Sequence, residues 1–311
     1  MLHRLPFVLA VFVVLVAACD TSGPEAFSQE IVVESYQTAG EPLAPVRLSR
    51  TTPLDSTYRF ADLAVRGATV NVQRLTENGD VAARIPYRAD PDSLGFYRPA
   101  GQIDGRPVPR VQPLTTYRLV ADVPDGPTLR ATTTVPDTFR VLRVNRDTAA
   151  YQVGEQVALR VTRSQTPGRD QAYYVLSTKA LDLASDNLTP LAREQFDDGD
   201  DITLRDLQVT SSPVINEESY IQNPDGTITI RLPWIAVRFY GRNETRASAL
   251  DGNLYDFLRS QSAQQGGGAF SPGAIPSLIE HVEGGTGLFG SRARVTTTAV
   301  FTRPTAGPGR P

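Results

Sequence analysis

From Ile31 onward the apolar residues come in short runs that alternate or cluster for a handful of positions and then stop at Gly, Pro, Asp or Asn. Runs of that length and period suit half-buried strands and leave little room for helices. In Ala68-Thr-Val-Asn-Val-Gln73 a spacing of two puts Ala68, Val70 and Val72 on one face. Ile31–Tyr36, Pro45–Arg50, Gly95–Arg98, Thr116–Val123 and Leu129–Val135 read the same way, the last two parted by the turn Pro124-Asp-Gly-Pro127. So many short strands in about a hundred residues predict an immunoglobulin-like sandwich. Prolines in or beside several of them suit edges and strand starts.

Val135-Pro136-Asp137 reads as a seam, dividing a sandwich over residues 28–136 from a second β-rich region over 137–303. That region is predicted to contain strands at Phe139–Val144, Gln156–Thr162, Ala172–Thr178 and Thr227–Leu232, and to close with Arg292–Phe301. Trp234–Tyr240 reads as a further strand, joined to Thr227–Leu232 through Pro233 so that the two bend or bulge there and run on as one. One helix is expected: Asp251 caps it, Leu250, Leu254, Phe257 and Leu258 fall on one face, and Gly266-Gly-Gly268 ends it. Ser185–Ile215 is long, polar and irregular, and reads as a mobile loop insertion. Residues 304–311 read as a frayed tail. The fold class is therefore mainly all-β: an immunoglobulin-like β-sandwich, then a second sandwich-like β domain with one short helix and a long loop insertion.

With 40% hydrophobic and 21% charged residues over 311 positions, the chain can build a core. A formal net charge of −3 gives no footprint for nucleic acid. The single cysteine, Cys19, excludes an intramolecular disulfide, so stability rests on packing. Arg4 precedes an apolar stretch from Leu5 to Val16, and small residues follow. This is the pattern of a secretory signal, and it is shorter than an ordinary membrane span. Val16-Ala17-Ala18-Cys19 fits the lipobox, with cleavage between Ala18 and Cys19 and acylation of the thiol. Residues 1–18 then form the signal peptide, and residues 19–27, broken by Gly23 and Pro24, form a polar tether. The expected partner is a membrane, held through lipid on Cys19.

Several blocks in order resemble a family of Bacteroidota lipoproteins, the family of unknown function DUF4249. They are Ile31-Val-Val-Glu-Ser-Tyr-Gln-Thr, Val46-Arg-Leu-Ser-Arg-Thr51, Gly67-Ala-Thr-Val-Asn-Val72, Thr116-Tyr-Arg-Leu119 and Thr133-Thr-Val-Pro136. Leu254-Tyr-Asp-Phe-Leu258, Pro276 and Glu283-Gly-Gly-Thr-Gly-Leu-Phe-Gly290 complete the set. The resemblance implies an N-terminal immunoglobulin-like sandwich, a β-rich C-terminal domain and an accessory role beside a TonB-dependent outer-membrane receptor in nutrient uptake. It supplies no catalytic residues. Where family members commonly carry Asn before the terminal Gly-Gly block, this chain has Glu280-His-Val-Glu283. A structural or adhesion role in the cell envelope is the alternative expectation, and a hydrolase is disfavoured.

Local chemistry is sparse, and no cofactor is expected. Gly285-Thr-Gly-Leu-Phe-Gly290 has dinucleotide-binding spacing, but strand-like residues follow it where a helix is required, so it reads as a glycine turn with Phe289 in the core. His281 is the only histidine after His3; Ser277, Ser291, Glu280 and Glu283 are near it in sequence, without a Gly-x-Ser-x-Gly elbow. Asp197, Asp198, Asp200 and Asp201 flank Gly199 as a weak calcium candidate whose spacing does not fit an EF-hand. Tyr173, Tyr174, Trp234, Phe239 and Tyr240 read mostly as core, and as a ligand platform where any of them faces outward. Asn187-Leu-Thr189 and Asn243-Glu-Thr245 match the N-glycosylation sequon by chance.

Overall fold

The computed structural model describes residues 27–53, 56–103, 106–199, 202–265 and 281–304. Ala18, Cys19, Asp200, Asp201, Gly266–Gly268, Pro276, Ser277 and Glu280 lie outside the described residues. In the first half lie β1 (Ile31–Thr38), β2 (Val46–Arg50), α1 (Phe60–Leu63), β3 (Thr69–Leu75), β4 (Val81–Ala89), β5 (Phe96–Pro99), the short β6 (Gln102–Ile103) and β7 (Arg106–Pro107), β8 (Thr116–Asp122) and β9 (Thr128–Thr134). The second half opens with β10 (Val141–Val144), β11 (Thr148–Ala150), β12 (Ala158–Val161), β13 (Tyr173–Ala180), α2 (Pro190–Asp198) and α3 (Leu204–Leu207). It continues with β14 (Val209–Ser211), β15 (Ile215–Asn216), β16 (Ile221–Gln222), β17 (Ile228–Arg231), β18 (Gly241–Leu250), α4 (Gly252–Gln265), β19 (Val282–Glu283) and β20 (Thr286–Thr302). The chain is all-β in class, with sandwich-type packing.

In the first sandwich a strand changes sheets. β4 pairs with β3 from Val81 to Pro86, then with β5 from Tyr87 to Ala89. Pro86 stands at the corner, where its missing N–H costs least. Val33, Leu48, Val72, Leu119 and Leu129 are fully buried between the two layers. Asn71 and Gln73 on the other face of β3 are also buried, and the Gln73 side chain donates to Asn71 Oδ1 at 3.1 Å. The period of two in β3 is thus real, but both of its faces are covered.

A second core begins at Phe139, just past Val135, and among the described residues only β19 and β20 return to the first. Here a four-stranded sheet ordered β10-β12-β17-β16 packs on strands β13, β18 and β20. Leu159, Val161, Ile228 and Ile230 meet Tyr174, Leu176, Ala247, Ala249 and Phe301.

β20 joins the two cores. Over Thr286–Arg292 it runs parallel to β1, and over Arg292–Phe301 antiparallel to β18. Arg292 is paired on both sides, with Thr38 and with Leu250. Alternation along β20 buries Phe289 in the first core and Ala293 in the second, while Leu288 belongs to a separate cluster with Leu250 and Leu254. The glycine block before the strand makes this approach possible. Gly287 has φ +109°, and a Cβ there would lie 2.2 Å from the Val33 carbonyl oxygen. The dinucleotide-like spacing thus overlaps the start of a strand.

Two sequence expectations need correction. Ser185–Ile215 is not an irregular loop: it carries α2, α3 and β14, with Ala180, Leu188, Ala192, Leu207 and Phe239 as its own small core. Pro190 sits in the first turn of α2, where a missing N–H is harmless. Trp234–Tyr240 is not a strand. After Pro233 the chain turns as a 3₁₀ segment, Trp234–Ala236, with Ala236 N donating to Pro233 O at 3.0 Å. The strand at this point is β18, whose polar and small residues hid it. α4 agrees with expectation: Leu254 N donates to Asp251 Oδ1 at 2.9 Å, and Leu250 and Leu254 are buried.

Gly287→Ala should destabilise the protein by about 3 kcal/mol or more, because strain at positive φ adds to a backbone clash. Gly40→Ala, at φ +76° with nothing within 4 Å of the added methyl, should cost only about 1 kcal/mol. Urea unfolding of both variants checks this, and equal losses would contradict the close-approach argument.

Candidate functional site

Two polar environments flank the hand-over at Arg292. In one, Ser291 is fully buried and shares a hydrogen bond with Thr133 of β9, Oγ to Oγ1 at 2.6 Å. Thr133 Oγ1 donates to Asp251 Oδ2 at 2.5 Å, and Asp251 N donates to Ser291 O at 3.0 Å. Asn253 Nδ2 donates to the carbonyls of Thr132 (2.7 Å) and Phe289 (2.9 Å). One helix cap therefore ties β9, β20 and α4 together. Burial pushes the Asp251 carboxyl above its ordinary value, against the lowering effect of its donors Thr133, Leu254, Ser291 and Asn253.

In the other, α4 lies over Gly290, where a Cβ would sit 3.2 Å from Leu254 Cβ. Beside it a cavity of about 310 Å³ opens between β1, β13, β18, β20 and α4. Its apolar wall includes Val175, Val214, Leu250, Leu254 and Leu258, and its polar groups include Tyr36, Ser177, Ser248 and Arg292. Arg292 Nε donates to Thr38 Oγ1 at 3.3 Å. Among the described residues no carboxylate lies within 4.0 Å of this guanidinium. Burial lowers the Arg292 pKa from the usual arginine value; Arg294 and Arg246 add to this and Glu41 opposes it. The neighbouring cations are matched: Arg294 pairs with Glu41 at 2.5 Å, and Arg246 pairs with Glu244. Burial raises the Tyr36 pKa, with Glu34 reinforcing the shift. An apolar wall with a few convergent polar groups is the usual make-up of a small-molecule site.

The residues flagged in the sequence lie elsewhere. His281 Nε2 is 3.0 Å from Asp256 Oδ2, and Asp256 also meets Arg169 at 3.5 Å. The Arg169 guanidinium lies over Tyr255 (4.6 Å) and Tyr173 (5.5 Å), whose rings are 4.0 Å apart. Ser291 is buried in the Asp251 network, so it does not join His281 as a nucleophile. The hollow beside His281 is larger, about 580 Å³, but is lined mostly by charged and polar side chains, Arg118, Arg130, Thr132 and Glu283 among them. Asp197 and Asp198 occupy the last turn of α2. Among the described residues no group of three or more His, Cys, Asp or Glu is placed to hold a metal.

Of the flagged aromatics, Tyr174, Phe239 and Tyr240 are buried, and Trp234 packs edge-on to Tyr151 (5.6 Å) and Phe301 (6.3 Å). Tyr173 and Trp234 are half-buried: Tyr173 stacks on Tyr255, and Trp234 lines a hollow with Asn145, Gln156 and Arg231. Asn243 is 1% exposed, and its side chain donates to Phe239 O and Gly241 O, so that sequon is closed to modification in the folded chain. Arg292 escaped sequence reasoning because Arg-Ala-Arg-Val has the alternation of any solvent-facing strand.

Comparison with known proteins adds a family match. A family profile described as a domain of unknown function, DUF4249, matches residues 19–298. A search of curated proteins finds no match. Among solved structures the chain is similar to Salmonella alpha-2-macroglobulin reacted with methylamine, at 10% identity and a TM-score of 0.24, over 90% of this chain and 15% of that one. It is also similar to Escherichia coli alpha-2-macroglobulin activated by porcine elastase, at 11% identity and a TM-score of 0.23, over 89% of this chain and 23% of that one. The chain thus spans less than a quarter of the length of these macroglobulins.

Asp251 generates a pH prediction. Its carboxyl titrates higher in the folded chain than its ordinary value of 3.8. The stability contributed by the neutral acid is therefore complete below about pH 3.8 and is lost as pH rises through the folded value. Asp251→Asn keeps a capping oxygen and should abolish this dependence. Asp251→Ala should cost about 2 kcal/mol or more at low pH, where the lost cap and orphaned donors add to the lost acid, and less as pH rises through the folded value. Thermal melting between pH 3 and 8 reads both, and an unchanged pH profile in Asp251→Asn would refute the assignment.

Proposed function

Taking as premise that the chain belongs to the DUF4249 family, we propose that it is a lipid-anchored protein of the cell envelope. In this reading it is a binding or accessory subunit held at the outer membrane beside a TonB-dependent receptor and serving nutrient uptake. The observation that carries the reading is Val16-Ala17-Ala18-Cys19 at the end of the apolar stretch from Leu5 to Val16. The family match begins at Cys19, the residue that becomes the first of the mature chain if the lipobox is used. Two or three acyl chains on that residue, at about 0.8 kcal/mol per buried methylene, make attachment durable. Twelve positions separate Cys19 from Ile31, so the tether reaches at most about 40 Å when fully extended.

The binding part of the reading is supported by the cavity at Arg292, which offers an unpaired cation and open hydroxyls on an apolar wall. The receptor as partner rests on family resemblance, and its test is direct. The protein should label with a palmitate analogue, sediment with membranes and enter solution only with detergent, and Cys19→Ala should abolish the label. Gentle solubilisation of native membranes should co-purify a TonB-dependent receptor. Consistent recovery of the labelled protein without one would overturn the receptor role and leave the anchor intact.

A further inference from the structure

We propose that the cavity beside α4 binds a small amphiphilic monoanion, a short straight-chain carboxylate whose head pairs with Arg292 and whose alkyl tail lies against Leu250 and Leu254. The proposal deepens the binding role above by naming its ligand class, and it does not depend on the membrane anchor. Three observations converge on it.

The first is charge. Arg292, Arg294 and Arg246 are neighbours, and two of the three are matched by Glu41 and Glu244. The third faces the cavity without a carboxylate, and among the described residues the only hydrogen bond of its guanidinium is from Nε to Thr38. A guanidinium does not escape burial by losing its proton, so the missing anion is the natural complement. One unmatched cation fits one negative charge, and its planar fork fits a carboxylate with two parallel hydrogen bonds.

The second is the placement of hydroxyls. Ser248 is 6% exposed and lines the cavity with Ser177 and Tyr36. None of these side chains has a hydrogen-bond partner among the described residues, so they remain available to a bound oxygen. Pairing between β13 and β18 puts Val175 opposite Ser248 and Ser177 opposite Arg246, which arrays apolar and hydroxyl groups along one strand face.

The third is size. About 310 Å³ stands at the lower end of ligand sites. It suits a head group with a short chain and is small for a nucleotide or an oligosaccharide. The apolar wall gives that chain a surface to bury.

Isothermal titration tests the proposal on the full chain as the cell processes it, kept in a maltoside detergent. Sodium butanoate, sodium hexanoate and 1-hexanol are the probes. Hexanoate should bind more tightly than butanoate, and at least about ten-fold more tightly than 1-hexanol, the difference expected of a charge-assisted hydrogen bond. Arg292→Met should weaken hexanoate at least about ten-fold. Ser211→Trp, at an exposed position on the rim, should block binding without touching the core, and it decides the question if Arg292→Met fails to fold. The proposal is overturned by no heat with any carboxylate, by equal affinity for hexanol, or by wild-type binding in Ser211→Trp. None of these outcomes bears on acylation of Cys19 or on membrane recovery, so the two readings fail separately.

Discussion

Everything in this fold depends on one strand that changes partners at one residue. Up to Arg292 the strand β20 is hydrogen-bonded to β1, and from Arg292 onward to β18. Thr38 and Arg292 meet across 254 positions of chain, so the contact that unites the molecule is among the least local it has. Such pairing is slow to form, because loop closure comes before any reward. It also makes the two cores interdependent: Phe289 fills the first and Phe301 the second from the same strand. With a single cysteine no disulfide can supplement this union. The strand reaches its place because Gly285 and Gly287 carry no side chain where Ile31 and Val33 present their carbonyls.

Much of the fold was legible because local pattern and burial agree in many strands. Thr116–Asp122 and Thr128–Thr134 alternate in sequence and in burial alike. Asp251 announced the helix cap, and the leucines after it announced the buried face. β18 was hidden for a physical reason: its inward residues are Asn243, Thr245, Ala247 and Ala249, small or polar side chains that fit a tightly packed sheet and carry little hydrophobic signal. β4 was hidden because only Ile85 and Tyr87 point inward among nine residues. Trp234-Ile-Ala-Val has the composition of a strand, but the turn after Pro233 outweighs propensity. The cavity was the least legible feature. Tyr36, Ser177, Ser248 and Arg292 sit on four separate strands, and only the long-range pairings bring them together. Nothing within any one of those segments marks it as part of a site.

Asp251 and Arg292 both lie at the hand-over, and they answer the same problem in different ways. A buried carboxyl can take up a proton, and Asp251, held by Thr133, Leu254 and Ser291, has its affinity for that proton raised by burial. Its burial is therefore resolved within the chain, as a joint between β9, β20 and α4. A guanidinium has no neutral form within reach near neutral pH, so burial leaves it with a desolvation cost that only an anion relieves. Glu41 and Glu244, the carboxylates closest to hand, are engaged by Arg294 and Arg246. A methionine or leucine at position 292 would satisfy the apolar wall of Leu250 and Leu254 at lower cost. The arginine is therefore expensive as architecture and economical as a receptor. Its charge is held half out of water, at reduced dielectric, where an incoming carboxylate meets it more strongly than at an open surface. A ligand with the opposite charge and a short apolar tail would complete there the pairing that the fold completes for the two neighbouring arginines.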